Sequence, residues 1–166
     1  MKNADQLSEK ELTTALRRRA MDYLARREHS RYELQCKLSE KFETPSDALI
    51  ASVLDRLEAD NLLSNARFAE SYVRSRVSRG YGPLYIRHQL RQRQVDAGLI
   101  DQVLVLDEQD WTDVLADALA KKVAEVPARG SKHWLKLQRF SQSRGFTSSH
   151  FNAALQNKLP SLLGLQ

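Results

Sequence analysis

Apolar residues recur at helical spacing along most of the 166-residue chain, and capping residues bound most of these runs. The chain contains only four prolines and six glycines, so few positions interrupt a helix. No stretch alternates apolar and polar residues, with enrichment in Val, Ile and Thr, for long enough to indicate a strand. The sequence therefore predicts an all-α protein.

The predicted helices fall into three rounds of long helix, short helix and helix. The spacing of Ser30-x-x-Glu33-Leu34-x-x-x-Leu38 is similar to that of Gly82-Pro83-x-x-Ile86-x-x-x-Leu90. One short apolar face per helix is too little for each round to stand alone, so stacking against a neighbour would complete the core. We predict three tandem three-helix repeats in an elongated molecule: residues 1–63 with an N-terminal extension, residues 64–106, and residues 107–166 with a C-terminal tail.

Local signals place the ends of several helices. Ser8 with Glu11, and Ser30 with Glu33, have the spacing of a capping box. Asn61 is a suitable helix end because asparagine tolerates the left-handed conformation. The segment Gly80–Pro83 predicts a tight helix–helix turn, since proline is tolerated in the first helical turn. A helix carrying the first arginines is predicted to run from Ser64 up to this turn.

The charge is concentrated in the middle of the chain. Residues 67–93 contain seven arginines and one acid, Glu70, whereas residues 1–66 have a net charge of −1 and residues 94–166 a net charge of zero. The middle segment therefore carries the whole excess of the +5 chain. Arginine suits bidentate contact with phosphate or carboxylate, and solvated helices usually interleave the two signs. This pattern favours binding of a polyanionic surface over a merely solvated face.

Helical spacing arranges these arginines in pairs at intervals of seven, three and four residues, which bring side chains onto common faces. The predicted contact set consists of Arg67, Arg74, Arg76, Arg79, Arg87, Arg91 and Arg93. Tyr81 lies between the two arginine rows, where it could stack on a base or a partner, or close the turn as a hydrophobic plug. A weaker basic cluster contributes Arg26 and Arg31, partly offset by Asp22 and Glu28.

Motifs for catalysis or metal binding are missing from the sequence. There is no phosphate-binding loop, no nucleophile elbow and no metal-type histidine pair, and the four histidines are predicted to lie at the surface or at helix ends. Cys36 is the only cysteine, so no internal disulfide or thiolate cluster can form. We therefore expect a non-enzymatic protein without cofactor or metal. The lack of a long apolar run or signal segment predicts a cytoplasmic location.

Three segments resemble the RecX family of bacterial regulatory proteins, which modulate the RecA recombinase. The first is Ala25-Arg26-Arg27-Glu28-His29-Ser30-Arg31-Tyr32-Glu33-Leu34-Gln35-Cys36-Lys37-Leu38. The second runs from Leu62 to Arg76 and continues with Gly80-Tyr81-Gly82-Pro83, Ile86 and Leu90. The third runs from Lys136 to Phe140 and on to Arg144-Gly145-Phe146.

The resemblance implies an elongated, curved right-handed array of three three-helix repeats. It further implies binding to RecA and within the groove of the RecA–DNA filament, which suppresses filament growth, ATP hydrolysis, strand exchange and coprotease activity. We expect a monomer that contacts DNA independently of sequence and does not bind membranes. Family members often have glycine between the second and third helices of the middle repeat, where this chain has Arg93-Gln94-Val95. The alternatives are a general helical nucleic-acid-binding protein without a filament partner and a protein adaptor whose arginines meet acidic helices.

Overall fold

The computed structural model describes residues 8–42, 45–105 and 108–164. These ranges contain ten α-helices, one π-helical segment and no β-strand, so the all-α prediction is confirmed. In chain order the helices are α1 (Glu9–Leu24), α2 (Arg31–Lys41), α3 (Asp47–Ala59), α4 (Asn65–Val77), α5 (Pro83–Gln92), α6 (Ala97–Val103), α7 (Glu108–Ala120), α8 (Lys132–Ser143), α9 (Ser148–Ala153) and α10 (Leu159–Leu162). The π-helical segment, Ala154–Lys158, joins α9 to α10.

The two predicted capping boxes have different outcomes. At α1 the box is complete, because the Ser8 hydroxyl accepts from the Glu11 N–H and the Glu11 carboxylate accepts from the Ser8 N–H. At α2 the Ser30 hydroxyl accepts from the Glu33 N–H at 3.1 Å. The Glu33 carboxylate, however, accepts from Arg27 at 2.9 Å and from Arg93 at 3.0 Å. The second cap therefore works in one direction only, since two cations hold the carboxylate that would close the box.

Helix ends follow the local signals closely. Asn61 adopts the predicted left-handed conformation with φ +56°, and Pro83 is the first residue of α5. The Ser64 hydroxyl caps α4 by accepting from the Arg67 N–H at 3.3 Å. However, α4 ends at Val77, so Arg79 lies in the turn beyond the helix rather than on it. The predicted end of the sixth helix, Leu106, lies outside the described residues.

The fold divides into two compact units. The first contains the described residues up to Ala69 together with Arg93–Val95, and the second contains Glu70–Gln92 and the described residues from Asp96 onward. The first unit has its own core, made of nine buried side chains from α1 to α3 and the following loop: Leu16, Ala20, Leu34, Leu38, Ile50, Val53, Leu54, Leu57 and Leu63. The predicted repeat boundaries at residues 63/64 and 106/107 stay a prediction.

Two glycine turns interlock within the second unit. The Gly82 N–H donates to the Arg144 carbonyl at 2.7 Å, and the Leu84 N–H donates to the Gly145 carbonyl at 3.1 Å. Gly145 has φ +84°, and a Cβ atom on it would overlap the backbone nitrogen of Tyr85. A Cβ atom on Gly82 would lie 2.6 Å from the Gly145 carbonyl oxygen. Both positions require glycine because the two backbones touch directly.

Gln94 stands in the connection between α5 and α6, at the position where the family resemblance implies glycine. It adopts the left-handed conformation with φ +54°, its side chain is exposed, and the next residue, Val95, is buried. A non-glycine residue in this conformation costs roughly 1–2 kcal/mol. The chain therefore keeps the backbone geometry that favours glycine at a position where it has glutamine.

We predict that Gln94→Gly stabilises the protein. Relief of the left-handed strain outweighs the roughly 0.4–1 kcal/mol that glycine costs through the unfolded state, which leaves a net gain of up to about 1.6 kcal/mol. Urea unfolding followed by circular dichroism measures the difference. Gln92→Gly provides the control, because Gln92 is the last residue of α5 and is exposed, and this substitution is expected to destabilise. A loss of stability in Gln94→Gly would contradict the prediction.

Candidate polyanion-binding surface

The seven arginines of residues 67–93, called here the middle arginines, are carried by two helices and the turns that follow them. Helix α4 carries three of them and α5 carries two, while Arg79 and Arg93 lie just beyond the ends of these helices. Arg87 and Arg91 keep their predicted spacing on one helix. The predicted pairing of Arg76 with Arg79 on a helical face does not hold, because α4 ends before Arg79.

Arg67 has an extensive set of intramolecular partners within the first unit. Its Nε donates to the Glu28 carboxylate at 2.9 Å, and its two terminal nitrogens donate to the side chain and the carbonyl of Asn61 at 2.9 and 3.0 Å. These bonds join the start of α4 to the segment before α2 and to the left-handed end of α3. Arg67 therefore has a clear structural role, and its contact with a partner stays a prediction.

Three further predicted contact residues form intramolecular ion pairs. In the first unit, Arg93 pairs with Glu33 at 3.0 Å. Arg31 pairs with Asp55 at 2.7 Å and with Glu58 at 2.6 Å. In the second unit, Arg87 pairs with the exposed Asp101. A polyanion would have to compete with these carboxylates for the guanidinium groups.

A smaller group of predicted residues has no such competitor. Arg74, Arg79 and Arg91 are exposed, and no carboxylate of the described residues lies within 4.0 Å of their guanidinium groups. We call these three the free arginines. Arg26 is also exposed, and no carboxylate of the described residues lies within 4.0 Å of its guanidinium group. An unpaired guanidinium can form two parallel hydrogen bonds with a phosphate without first breaking an internal ion pair.

Tyr81 and Arg76 belong to an aromatic cluster within the second unit. The Tyr81 ring stacks on Tyr85 with centroids 4.3 Å apart, and the Arg144 guanidinium lies 4.3 Å from the Tyr81 centroid. The Arg76 guanidinium lies 4.7 Å from the ring of Tyr72 and 5.7 Å from that of Tyr81. These contacts favour the interpretation that Tyr81 packs the turn. A contact between Tyr81 and a partner stays a prediction.

Of the four histidines, His88 and His133 are exposed and the other two are buried. His29 and His150 are only 3% and 2% exposed, and both stand at the start of a helix. Burial is the main cause that lowers the pKa of His29, although a hydrogen bond with the Arg27 carbonyl opposes it. The ring of His150 completes the capping box with Thr147. Across the described ranges no group of three or more potential ligands could hold a metal ion.

A basic groove in the second unit adds residues with no marked sequence signal. It has a volume of about 460 Å³ and is lined by four cations, Arg79, Lys121, Lys122 and Arg144, and by the carboxylate of Asp117. Lys121 and Lys122 follow α7, in a part of the chain where acidic and basic residues are equal in number. Only tertiary structure brings them together with Arg79, so charge counting along the sequence does not detect them.

No helix of the described residues is both long enough and apolar enough to cross a membrane. This finding concerns residues 8–42, 45–105 and 108–164.

Comparisons with family models and with curated proteins agree with each other. A family model described as the first three-helix domain of RecX matches residues 17–57, and one described as the second three-helix domain matches residues 64–104. The regulatory protein RecX of Pseudomonas entomophila (strain L48) is 42% identical over 144 residues, covering 87% of this chain and 92% of that protein. The regulatory protein RecX of Halorhodospira halophila is 44% identical over 144 residues, covering 84% of this chain and 86% of that protein.

Solved structures show the same fold. A crystal structure of RecX from Lactobacillus salivarius superposes with a TM-score of 0.75 at 21% identity, covering 95% of this chain and 99% of that one. A second crystal structure of regulatory protein RecX gives a TM-score of 0.70 at 25% identity, covering 90% of this chain and 78% of that one. With two matched domains and identities above 40% over most of both chains, this protein belongs to the RecX family of regulatory proteins.

Proposed function

We propose that this chain binds RecA and the RecA–DNA filament and inhibits the recombinase, ATPase and coprotease activities of RecA, without catalysing a reaction of its own. The observation that carries the proposal is family membership: relatives over 40% identical, matched over more than four fifths of this chain, are regulatory proteins. In this proposal the protein acts in the cytoplasm as a monomer, with its three repeats divided at residues 63/64 and 106/107.

The free arginines support this proposal chemically. The groove of a nucleoprotein filament combines DNA phosphates with protein carboxylates, and a guanidinium binds both through paired hydrogen bonds. Arg74, Arg79 and Arg91 are exposed and unpaired within the described residues, so partner binding costs them no internal ion pair. We therefore place these three first in the proposed contact set. The rest of the proposed contact set comes after them. Six of these residues already have contacts within the chain: Arg31, Arg67, Arg76, Tyr81, Arg87 and Arg93. The seventh, Arg26, belongs to the weaker basic cluster outside residues 67–93.

The direct test is ATP hydrolysis by RecA filaments on single-stranded DNA. We expect a several-fold excess of this chain over filament sites to suppress hydrolysis, because occupied grooves block filament growth. The assay is run with DNA sites in excess over RecA and the added chain together, so that simple sequestration of DNA cannot lower the rate. Unchanged hydrolysis under these conditions would defeat the proposal.

A second candidate is a general nucleic-acid-binding protein, which the net charge of +6 on residues 67–93 favours. Such a protein would bind DNA with a strong salt dependence but would inhibit RecA only by removing its DNA. Added free DNA would then restore hydrolysis fully. A protein adaptor, in contrast, would not be retained by bare DNA at low salt.

A further inference from the structure

The basic groove collects cations from three separate segments of the second unit. Arg79 belongs to the turn after α4, Lys121 and Lys122 follow α7, and Arg144 follows α8. Arg79, Lys121, Lys122 and Asp117 are exposed, so the groove is open to solvent rather than enclosed. With four cations against one carboxylate among its described lining residues, the groove attracts an anion.

Two of the four cations are held in place by aromatic and backbone contacts. A terminal nitrogen of Arg144 donates to the Arg79 carbonyl at 2.9 Å, and the Arg144 guanidinium lies 5.1 Å from the Phe140 centroid. The Lys122 ammonium lies 4.4 Å from the centroid of the same ring. Contacts of this kind orient a cation while leaving its remaining donors available. A ligand would therefore meet charges that are already positioned, which lowers the ordering cost of binding.

The wall of the groove depends on a glycine. Gly80 has φ +74°, and a Cβ atom on it would lie 2.9 Å from the Cβ atom of Ala118 on α7. The turn that carries Arg79 is thus seated directly on the helix that leads to Lys121 and Lys122. This close approach fixes both groups of cations along the same groove.

The donors and acceptors of the lining identify the class of ligand. The four cations only donate, and the carboxylate of Asp117 and the hydroxyl of Ser78 are the side-chain acceptors among the described lining residues. A peptide laid in such a groove would bring N–H groups that need acceptors, whereas a phosphodiester backbone presents acceptors alone. A groove of about 460 Å³ cannot enclose a duplex, whereas one phosphodiester strand can lie in it along the cations.

We propose that the basic groove binds the phosphodiester backbone of single-stranded nucleic acid, with Arg79, Lys121, Lys122 and Arg144 contacting its phosphates. The bases remain outside, so binding is independent of sequence. Phe140 is unsuited to stacking a base because Lys122 and Arg144 already lie against its ring. The inference rests on the proposed function, since a filament inhibitor also meets DNA, but its primary measurement, binding of an oligonucleotide, contains no RecA.

The test measures fluorescence anisotropy of a labelled oligothymidylate as the full-length protein is added over a series of salt concentrations. We expect Lys121→Glu/Lys122→Glu to weaken binding at least about tenfold at low salt and to lower the slope of log affinity against log salt by about 1.4, for two lost phosphate contacts. Asp117→Asn removes the opposing carboxylate and is expected to tighten binding about two- to fivefold.

The matched control is Lys132→Glu/Lys136→Glu, which reverses two exposed charges on α8 outside the groove. It is expected to retain the salt slope of the unmodified protein, and circular dichroism confirms that each variant is folded. Equal losses in both double variants would overturn the proposal, as would the absence of binding by the unmodified protein at low salt. If the oligonucleotide does not bind and the groove variant loses only RecA inhibition, the groove binds protein carboxylates and the nucleic-acid assignment is wrong.

If the unmodified protein binds the oligonucleotide through the groove but does not inhibit RecA, only the proposed function is refuted.

Discussion

Replacement of Gly145 with Ala is expected to lower the free energy of unfolding by about 2–5 kcal/mol. The left-handed backbone, φ +84°, accounts for roughly 1–2 kcal/mol once a Cβ atom is present. The remainder comes from overlap of that Cβ atom with the Tyr85 backbone, since overpacking costs typically 1–3 kcal/mol. The overlap cannot relax cheaply, because the hydrogen bonds of Gly82 and Leu84 hold the two turns together.

Gly130→Ala is the matched control for this prediction. Gly130 has a similar φ of +78°, but nothing lies within 4 Å of the position that its Cβ atom would occupy. The control therefore carries the backbone strain without the overlap and is expected to lose only about 1–2 kcal/mol. Urea unfolding followed by circular dichroism compares the two variants. Equal losses would contradict the predicted overlap between a Cβ atom on Gly145 and the Tyr85 backbone.

Replacement of Arg74, Arg79 and Arg91 together with Ala is expected to weaken RecA inhibition at least tenfold while the helix content and the melting temperature stay unchanged. Each hydrogen-bonded contact to a charged group contributes about 1.5–3 kcal/mol, so three lost contacts exceed a tenfold effect even when their contributions are only partly additive. Stability is preserved because no ion pair within the described residues involves these side chains. The measurement is the concentration of protein that halves RecA ATP hydrolysis.

Two further triple variants make this result specific. Removal of Arg18, Arg129 and Arg139, which are exposed and lie outside residues 67–93, changes the net charge equally and is expected to leave inhibition intact. Removal of Arg31, Arg67 and Arg93 breaks the ion pairs with Glu58, Glu28 and Glu33 and is expected to lower the melting temperature. Undiminished inhibition by the variant that lacks the free arginines would exclude them from the contact set.

The helices and many of their ends could be predicted from the sequence because short-range interactions decide them. The capping box at Ser8, the left-handed end at Asn61 and the proline start of α5 each depend on residues a few positions apart. The same holds for the concentration of arginine in residues 67–93, which is a property of composition. The order and spacing of three segments also indicated the family, because they are properties of the sequence alone.

The sequence could not predict which arginines are available to bind a partner. Their availability depends on ion pairs with carboxylates that are distant in the sequence. Arg67 meets Glu28, Arg93 meets Glu33, and Arg31 meets both Asp55 and Glu58. Sequence spacing alone treats these residues and Arg74 or Arg91 as equivalent. The half-formed cap at Ser30 has the same origin, since Glu33 serves two cations that local pattern does not reveal.

The sequence by itself thus determined the all-α architecture, the capped helix ends and the basic middle segment, because these follow from propensity, periodicity and composition. Tertiary structure alone decided which guanidinium groups are left unpaired, how Gly82 meets Gly145, and that Arg79, Lys121, Lys122 and Arg144 line one groove. The physical reason is the range of the interactions. Caps and helical faces are set within a few residues, whereas ion pairs and backbone contacts join residues that only folding brings within a few ångströms.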